Sequence, residues 1–188
     1  MIKLAILASG NGTNAQRISE YFADNADIKV ECIIYNRKDA YVAERAKKLG
    51  ISAIYFNRKD FYENGNVLSF LQDHRIDWVI LAGFLWLVPE DILNAYPDHI
   101  INIHPALLPN YGGKGMYGHH VHEAVIANHE KESGITIHIV DKHYDRGIIL
   151  FQAKCRLTDE DTPETLAEKI HLLEQEYFPT VIEKTVTR

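Results

Sequence analysis

The sequence predicts an α/β fold, a Rossmann-like, mostly parallel sheet of about seven strands with helices on both faces. Three observations point there. Short β-rich runs alternate with polar-punctuated helical stretches over the first hundred residues, the rhythm that a parallel sheet covered on both sides demands. At 188 residues, 46% hydrophobic and 24% charged, the chain has the size and composition of one globular domain spanning residues 1–188. Its strand-like runs are also too short for membrane spans, which need ~20 apolar residues.

Strands are expected at residues 3–8, 29–35, 53–56, 78–82 and 100–103, with helices at 15–22, 40–48, 60–74 and 90–95 between them. Right-handed crossovers place every strand C-terminus on one edge of the sheet, where such folds open their ligand crevice. After the fifth strand the rhythm changes. Residues 105–118 hold two prolines and four glycines, too many for a regular element, and read as a functional loop. A helix over 120–128 follows. The β-branched runs 134–140 and 148–155 flank a polar loop, as a hairpin or a bent crossover would. Thr162 is placed to cap a last helix with Pro163 at its first position.

Twenty basic and twenty-six acidic residues give a net charge of −6, which disfavours nucleic acid as a partner because phosphate binding wants a clustered basic face. The N-terminal apolar run reaches Gly10 too soon for a secretory signal. A soluble cytoplasmic protein, monomer or homodimer, with no membrane partner is therefore expected. Cys32 and Cys155 lie far apart without metal or redox spacing. His119, His120 and His122 lack the spacing and the third ligand of a zinc site, so no metal is expected.

Three segments carry chemistry. Residues 9–15 (Ser-Gly-Asn-Gly-Thr-Asn-Ala) join the first strand to the first helix, and glycines at a helix N-terminus expose backbone N–H groups to a phosphate. The same run suits a plain strand-to-helix turn. It also matches a weak dinucleotide pattern, and with Arg37 and Lys38 at the end of the second strand it leaves an NADP-dependent reductase as a rival. At the end of the fifth strand, alternation puts Asn102 and His104 on one face, where an amide donor and an imidazole suit carbonyl chemistry. A histidine satisfied within the core is the alternative. Asp145 lies in the polar loop after the sixth strand, where its carboxylate has the reach to fold back on His104, raise its pKa and orient it; a charged turn reads the same way. The apolar run 82–89 fits either core packing or a wall for a flat aromatic ligand.

Taken together, Ser9-Gly10-Asn11-Gly12-Thr13-Asn14, Leu81-Ala82-Gly83-Phe84, Asn102-Ile103-His104-Pro105-Ala106-Leu107-Leu108-Pro109 and Asp145-Arg146-Gly147 resemble the phosphoribosylglycinamide formyltransferases, folate-dependent enzymes of purine biosynthesis with a formyltransferase fold. The resemblance spans almost the whole chain. It implies transfer of a formyl group from 10-formyltetrahydrofolate, a co-substrate, to the amine of glycinamide ribonucleotide. It also implies that Gly12, Thr13 and Asn14 hold the substrate phosphate and that Glu174 contacts its sugar. By the same match, Asn102 and protonated His104 polarise the formyl carbonyl, while Asp145 raises the histidine pKa and shuttles protons. Leu85, Trp86, Leu87 and Val88, with Asp141, Tyr144 and the Asp145 loop, match the segments that enclose the pterin. Lys59 matches a basic residue near the folate.

Two related activities are set aside on chain layout. Methionyl-tRNA formyl transfer goes with a longer chain and a basic C-terminal module, whereas the last helix here is acidic. Formyltetrahydrofolate hydrolase goes with an added N-terminal domain, whereas this chain opens on its first strand.

Overall fold

The computed structural model describes residues 1–142 and 145–188. Within these residues seven strands form one sheet: β1 (Ile2–Ala8), β2 (Ile28–Tyr35), β3 (Ser52–Tyr55), β4 (Trp78–Leu81), β5 (Ile100–His104), β6 (Glu132–Ile139) and β7 (Ile149–Arg156), in the order β3-β2-β1-β4-β5-β6-β7. β1 to β5 pair in parallel, β6 is antiparallel to β5, and β7 is antiparallel to β6. The expected α/β class and strand number stand, and of the two readings of 134–155 the antiparallel hairpin is the one observed.

Among the described residues, seven helices accompany the sheet: α1 (Thr13–Tyr21), α2 (Val42–Leu49), α3 (Arg58–Tyr62), α4 (Asn66–Asp73), α5 (Glu90–Ala95), α6 (His119–Ala127) and α7 (Pro163–Val186). Alternate strand residues feed two cores. Leu4, Ile6 and Ala8 of β1 join Ile18 of α1, Val125 of α6 and Phe178 of α7, while Ala5 and Leu7 join Phe61 of α3, Leu71 of α4 and Ile92 of α5. Apolar burial on both faces is why the central strands read as continuous aliphatic runs rather than alternating ones.

The single helix expected over 60–74 is instead two. Asn57 starts α3 with a capping box in which its side chain accepts from the Lys59 and Asp60 amides and Asp60 returns the bond to the Asn57 N–H. Gly65 then adopts φ +66° as the N-cap of α4, a left-handed conformation that breaks helical continuity and that glycine adopts at little cost.

α7 begins as the sequence indicates. The Thr162 hydroxyl accepts from the Thr165 amide at 3.3 Å, the Thr165 hydroxyl accepts from the Thr162 amide at 2.9 Å, and Pro163 occupies the first turn. Losing such a cap costs ~1 kcal/mol. Thr162→Ala is therefore expected to lower the urea midpoint by that equivalent without touching ligand affinity; an unchanged midpoint would show that the box carries no stability.

On the face of the sheet shared by Asn102, His104, Thr136 and His138, the register pairs Asn102 with His138 and His104 with Thr136. Here the segment after β5 supplies the covering. Thr136 Oγ1 donates to Ala106 O and accepts from Leu108 N, and Gln152 Nε2 donates to Leu108 O. Backbone groups of this segment thus satisfy Thr136, and the chemistry-bearing residues sit beside it on the same face.

Candidate active site

The loops after β1, β4 and β5 leave the sheet side by side, because these strands are neighbours in the order β1-β4-β5. They are also tied together: Ser9 N donates to Gly83 O at 3.1 Å, and Leu85 N donates to the buried Ser9 hydroxyl at 2.9 Å. Between them opens a cavity of about 730 Å³ that also reaches α6 and α7, within the range of small-molecule sites.

One end of this cavity is built for an anion. Gly12 is the N-cap of α1 at φ +76° and no side chain caps the helix, so its first N–H groups and the positive end of its dipole face the cavity. Arg45 of α2 braces the loop, its Nε donating to Asn11 O at 2.7 Å and its Nη2 to Asn11 Oδ1 at 2.7 Å. Asn14 is tied to α7 through Glu174 at 2.9 Å and Gln175 at 2.8 Å. Leu85, Leu87 and Val88 line the cavity with Phe84 and Val140 and give it an apolar wall.

Asn102, His104, His138 and Asp145 converge on the same cavity. His104 Nδ1 lies 3.6 Å and His138 Nε2 3.7 Å from Asp145 Oδ1. His104 Nε2 lies 2.8 Å from Tyr111 O, and since a carbonyl only accepts, that nitrogen carries the proton. Asp145 Oδ2 accepts from Gly113 N at 2.9 Å. The aspartate itself stands at φ +52°, a conformation sparsely populated outside glycine that clusters at functional sites. No serine or cysteine is among these groups, so the arrangement can polarise a carbonyl and move a proton without a covalent nucleophile.

Burial lowers the His104 pKa, and the Asp145 carboxylate and Tyr111 carbonyl, which raise it, do not make up the loss. Asp145 thus pulls in the direction expected from the sequence, and burial pulls the other way. Burial raises the Asp145 carboxyl, yet His138, His104 and the Gly113 amide outweigh it and hold it below the ordinary aspartate value. A stability signature follows. The unfolded chain protonates His104 through ~6.5 while the folded chain resists, so stability is present above that pH and falls on acidification, by at most ~1.4 kcal/mol per pH unit from this group. The Asp145 contribution is present above ~3.9 and lost as pH falls through its lowered folded value. The drop in urea midpoint from pH 7.5 to 5.5 is expected to be shallower in His104→Asn than in the parent; equal drops would contradict a neutral buried ring.

Of the residues singled out in the sequence, Gly12, Thr13, Asn14, Leu85, Leu87, Val88, Asn102, His104, Asp141, Asp145 and Glu174 line this one cavity. Trp86 and Lys59 are not among its lining residues. Trp86 packs instead against Phe61, with ring centroids 5.8 Å apart, and lies under the Arg58 guanidinium, and Lys59 is exposed in the first turn of α3. Tyr144 lies outside the described residues. Arg37, which kept a dinucleotide phosphate open as a partner, lines the cavity but is paired with Asp39 at 3.1 Å. Sequence reasoning missed His138 and Arg45. The signal for His138 was present: an imidazole among β-branched residues, in step with Thr136 and out of step with Ile135, Ile137 and Ile139. Among the described residues, no group of three or more His, Cys, Asp or Glu side chains is arranged to hold a metal, and no helix is long and apolar enough to cross a membrane.

Residues 2–182 match the family model described as formyl transferase. The chain is 39% identical to a chloroplastic phosphoribosylglycinamide formyltransferase of Arabidopsis thaliana over 96% of its own length and 64% of that protein. It is 35% identical to the phosphoribosylglycinamide formyltransferase of Bacillus subtilis, covering 98% of this chain and 94% of the relative. The chain spans less than two thirds of the length of the plant relatives it matches. Among solved structures, phosphoribosylglycinamide formyltransferase from Streptococcus pneumoniae superposes with a TM-score of 0.87 at 36% identity, covering 98% of both chains.

Proposed function

The chain belongs to the formyl transferase family, in its phosphoribosylglycinamide formyltransferase branch, and from that premise we propose that it transfers the formyl group of 10-formyltetrahydrofolate to the amine of glycinamide ribonucleotide. The observation that carries this reading is the joining, in one cavity, of an uncapped helix N-terminus, an apolar wall and the Asn102–His104–Asp145 group.

Gly12, Thr13 and Asn14 receive the ribonucleotide phosphate at the α1 N-terminus, and Glu174, beside Asn14, takes the sugar. Leu85, Leu87 and Val88, with Asp141 and Asp145, enclose the pterin. The acceptor amine attacks the formyl carbon directly, a C–N bond forms, and the carbonyl π electrons move onto oxygen. Asn102 donates a hydrogen bond to that oxyanion, the term that such sites rely on most. Neutral His104 takes the proton released by the attacking nitrogen, and its positive charge is then stabilised by Asp145. As the tetrahedral centre collapses, the bond to the folate nitrogen breaks and that nitrogen receives the proton. Formyl donor and acceptor are both substrates, and the protein's own part is binding, orientation and proton movement.

The test compares acceptors. Purified protein with 10-formyltetrahydrofolate is expected to release tetrahydrofolate rapidly with glycinamide ribonucleotide and slowly with glycinamide riboside, which lacks the phosphate. With water alone, release should be negligible. Equal release with water would assign a hydrolase instead.

A further inference from the structure

We propose that His138 is a positioning residue for this reaction: held as its Nδ1–H tautomer by the Ile139 carbonyl, it accepts a hydrogen bond from Asn102 Nδ2 and so fixes which end of that amide meets the substrate. The inference rests on the reading of Asn102 as the oxyanion donor. His138 Nδ1 lies 3.0 Å from Ile139 O, and because a carbonyl oxygen only accepts, Nδ1 carries the ring hydrogen. In the neutral ring Nε2 is then a bare lone pair, and it stands 3.1 Å from Asn102 Nδ2. Only the NH₂ end of the amide can be satisfied there, since Oδ1 in its place would set two lone pairs against each other. Nδ2 bears two hydrogens, one spent on His138 and one left for the cavity. Freed from this bond, the amide could turn over and present Oδ1, which repels an oxyanion.

The fold keeps this pair in register, because Asn102 and His138 are direct partners on β5 and β6 and His138 is only 2% exposed. Among the described residues, Asp145 lies 3.7 Å from its Nε2, and His104 Nδ1 faces the same carboxylate oxygen.

Two measurements decide. In ¹⁵N-histidine-labelled protein at pH 7.5, His138 is expected to show a protonated Nδ1 and a bare Nε2. A protonated Nε2 overturns the proposal, whatever the activity. In kinetics, asparagine retains a group near the Ile139 carbonyl but places nothing at the Nε2 position, whereas glutamine can place an acceptor there. His138→Asn is expected to lower kcat about tenfold with both KM values little changed, as loss of one orienting hydrogen bond implies. His138→Gln should recover most of it. Equal turnover in the two variants overturns the proposal, since a purely structural role does not tell them apart. Should neither variant fold, the tautomer measurement on the parent protein decides alone. Failure of the parent to transfer formyl would reject the functional reading and leave the tautomer result standing.

Discussion

Replacing Asn102 or His104 by alanine is expected to lower kcat by roughly 100-fold or more, with the protein still folded. The size follows from the role: removing one preorganised donor to an oxyanion costs ~3 kcal/mol of transition-state stabilisation. His104 adds the proton step, for which a positioned imidazole supplies ~100-fold or more. Because both side chains act on one reacting centre, the double variant should be little slower than the slower single one. Folding should survive because neither side chain belongs to the two apolar cores. Turnover within a few-fold of the parent in either single variant, at unchanged circular dichroism, would remove the assigned roles.

Gly12→Val is expected to be the most damaging change at the anion end. A Cβ at this position would stand 2.9 Å from Val42 Cα and closer still to the Val42 side chain, and the backbone φ of +76° is hostile to a β-branched residue. Left-handed strain alone costs ~1–3 kcal/mol. Relief requires moving either the loop or the start of α2, whose Val42 N donates to Gly10 O at 3.1 Å. The urea midpoint should therefore fall, and ribonucleotide affinity should drop tenfold or more, while the folate end of the cavity is affected less. Calorimetric titration with each ligand separates the two effects. Unchanged ribonucleotide affinity would detach the phosphate from this loop.

Much of the framework is written locally. Aliphatic runs such as residues 4–7 and 79–81 announce strands covered on both faces, and Thr162-Pro163 announces the start of α7, because each depends on nearest neighbours along the chain. Asn102 and His104 were placed together by strand alternation alone. Part of what escaped is local: the break between α3 and α4 turns on Gly65 taking a left-handed conformation, which competing helix periodicity conceals. The rest depends on partners distant in sequence. His138 acquires meaning only through its cross-strand pairing with Asn102. The protonation of His104 likewise cannot be read from Asp145 being near, since burial, a property of the whole fold, opposes the carboxylate and prevails.

The proposed reaction is a direct handover of one carbon from folate to a ribonucleotide amine. It is tested most directly by supplying 10-formyltetrahydrofolate labelled with ¹³C in the formyl group, together with glycinamide ribonucleotide and an excess of unlabelled formate, and following the carbon by NMR. Undiluted label in the product formamide, appearing in step with tetrahydrofolate, is the predicted outcome. Label released as formate, or no movement of label at all, would contradict it.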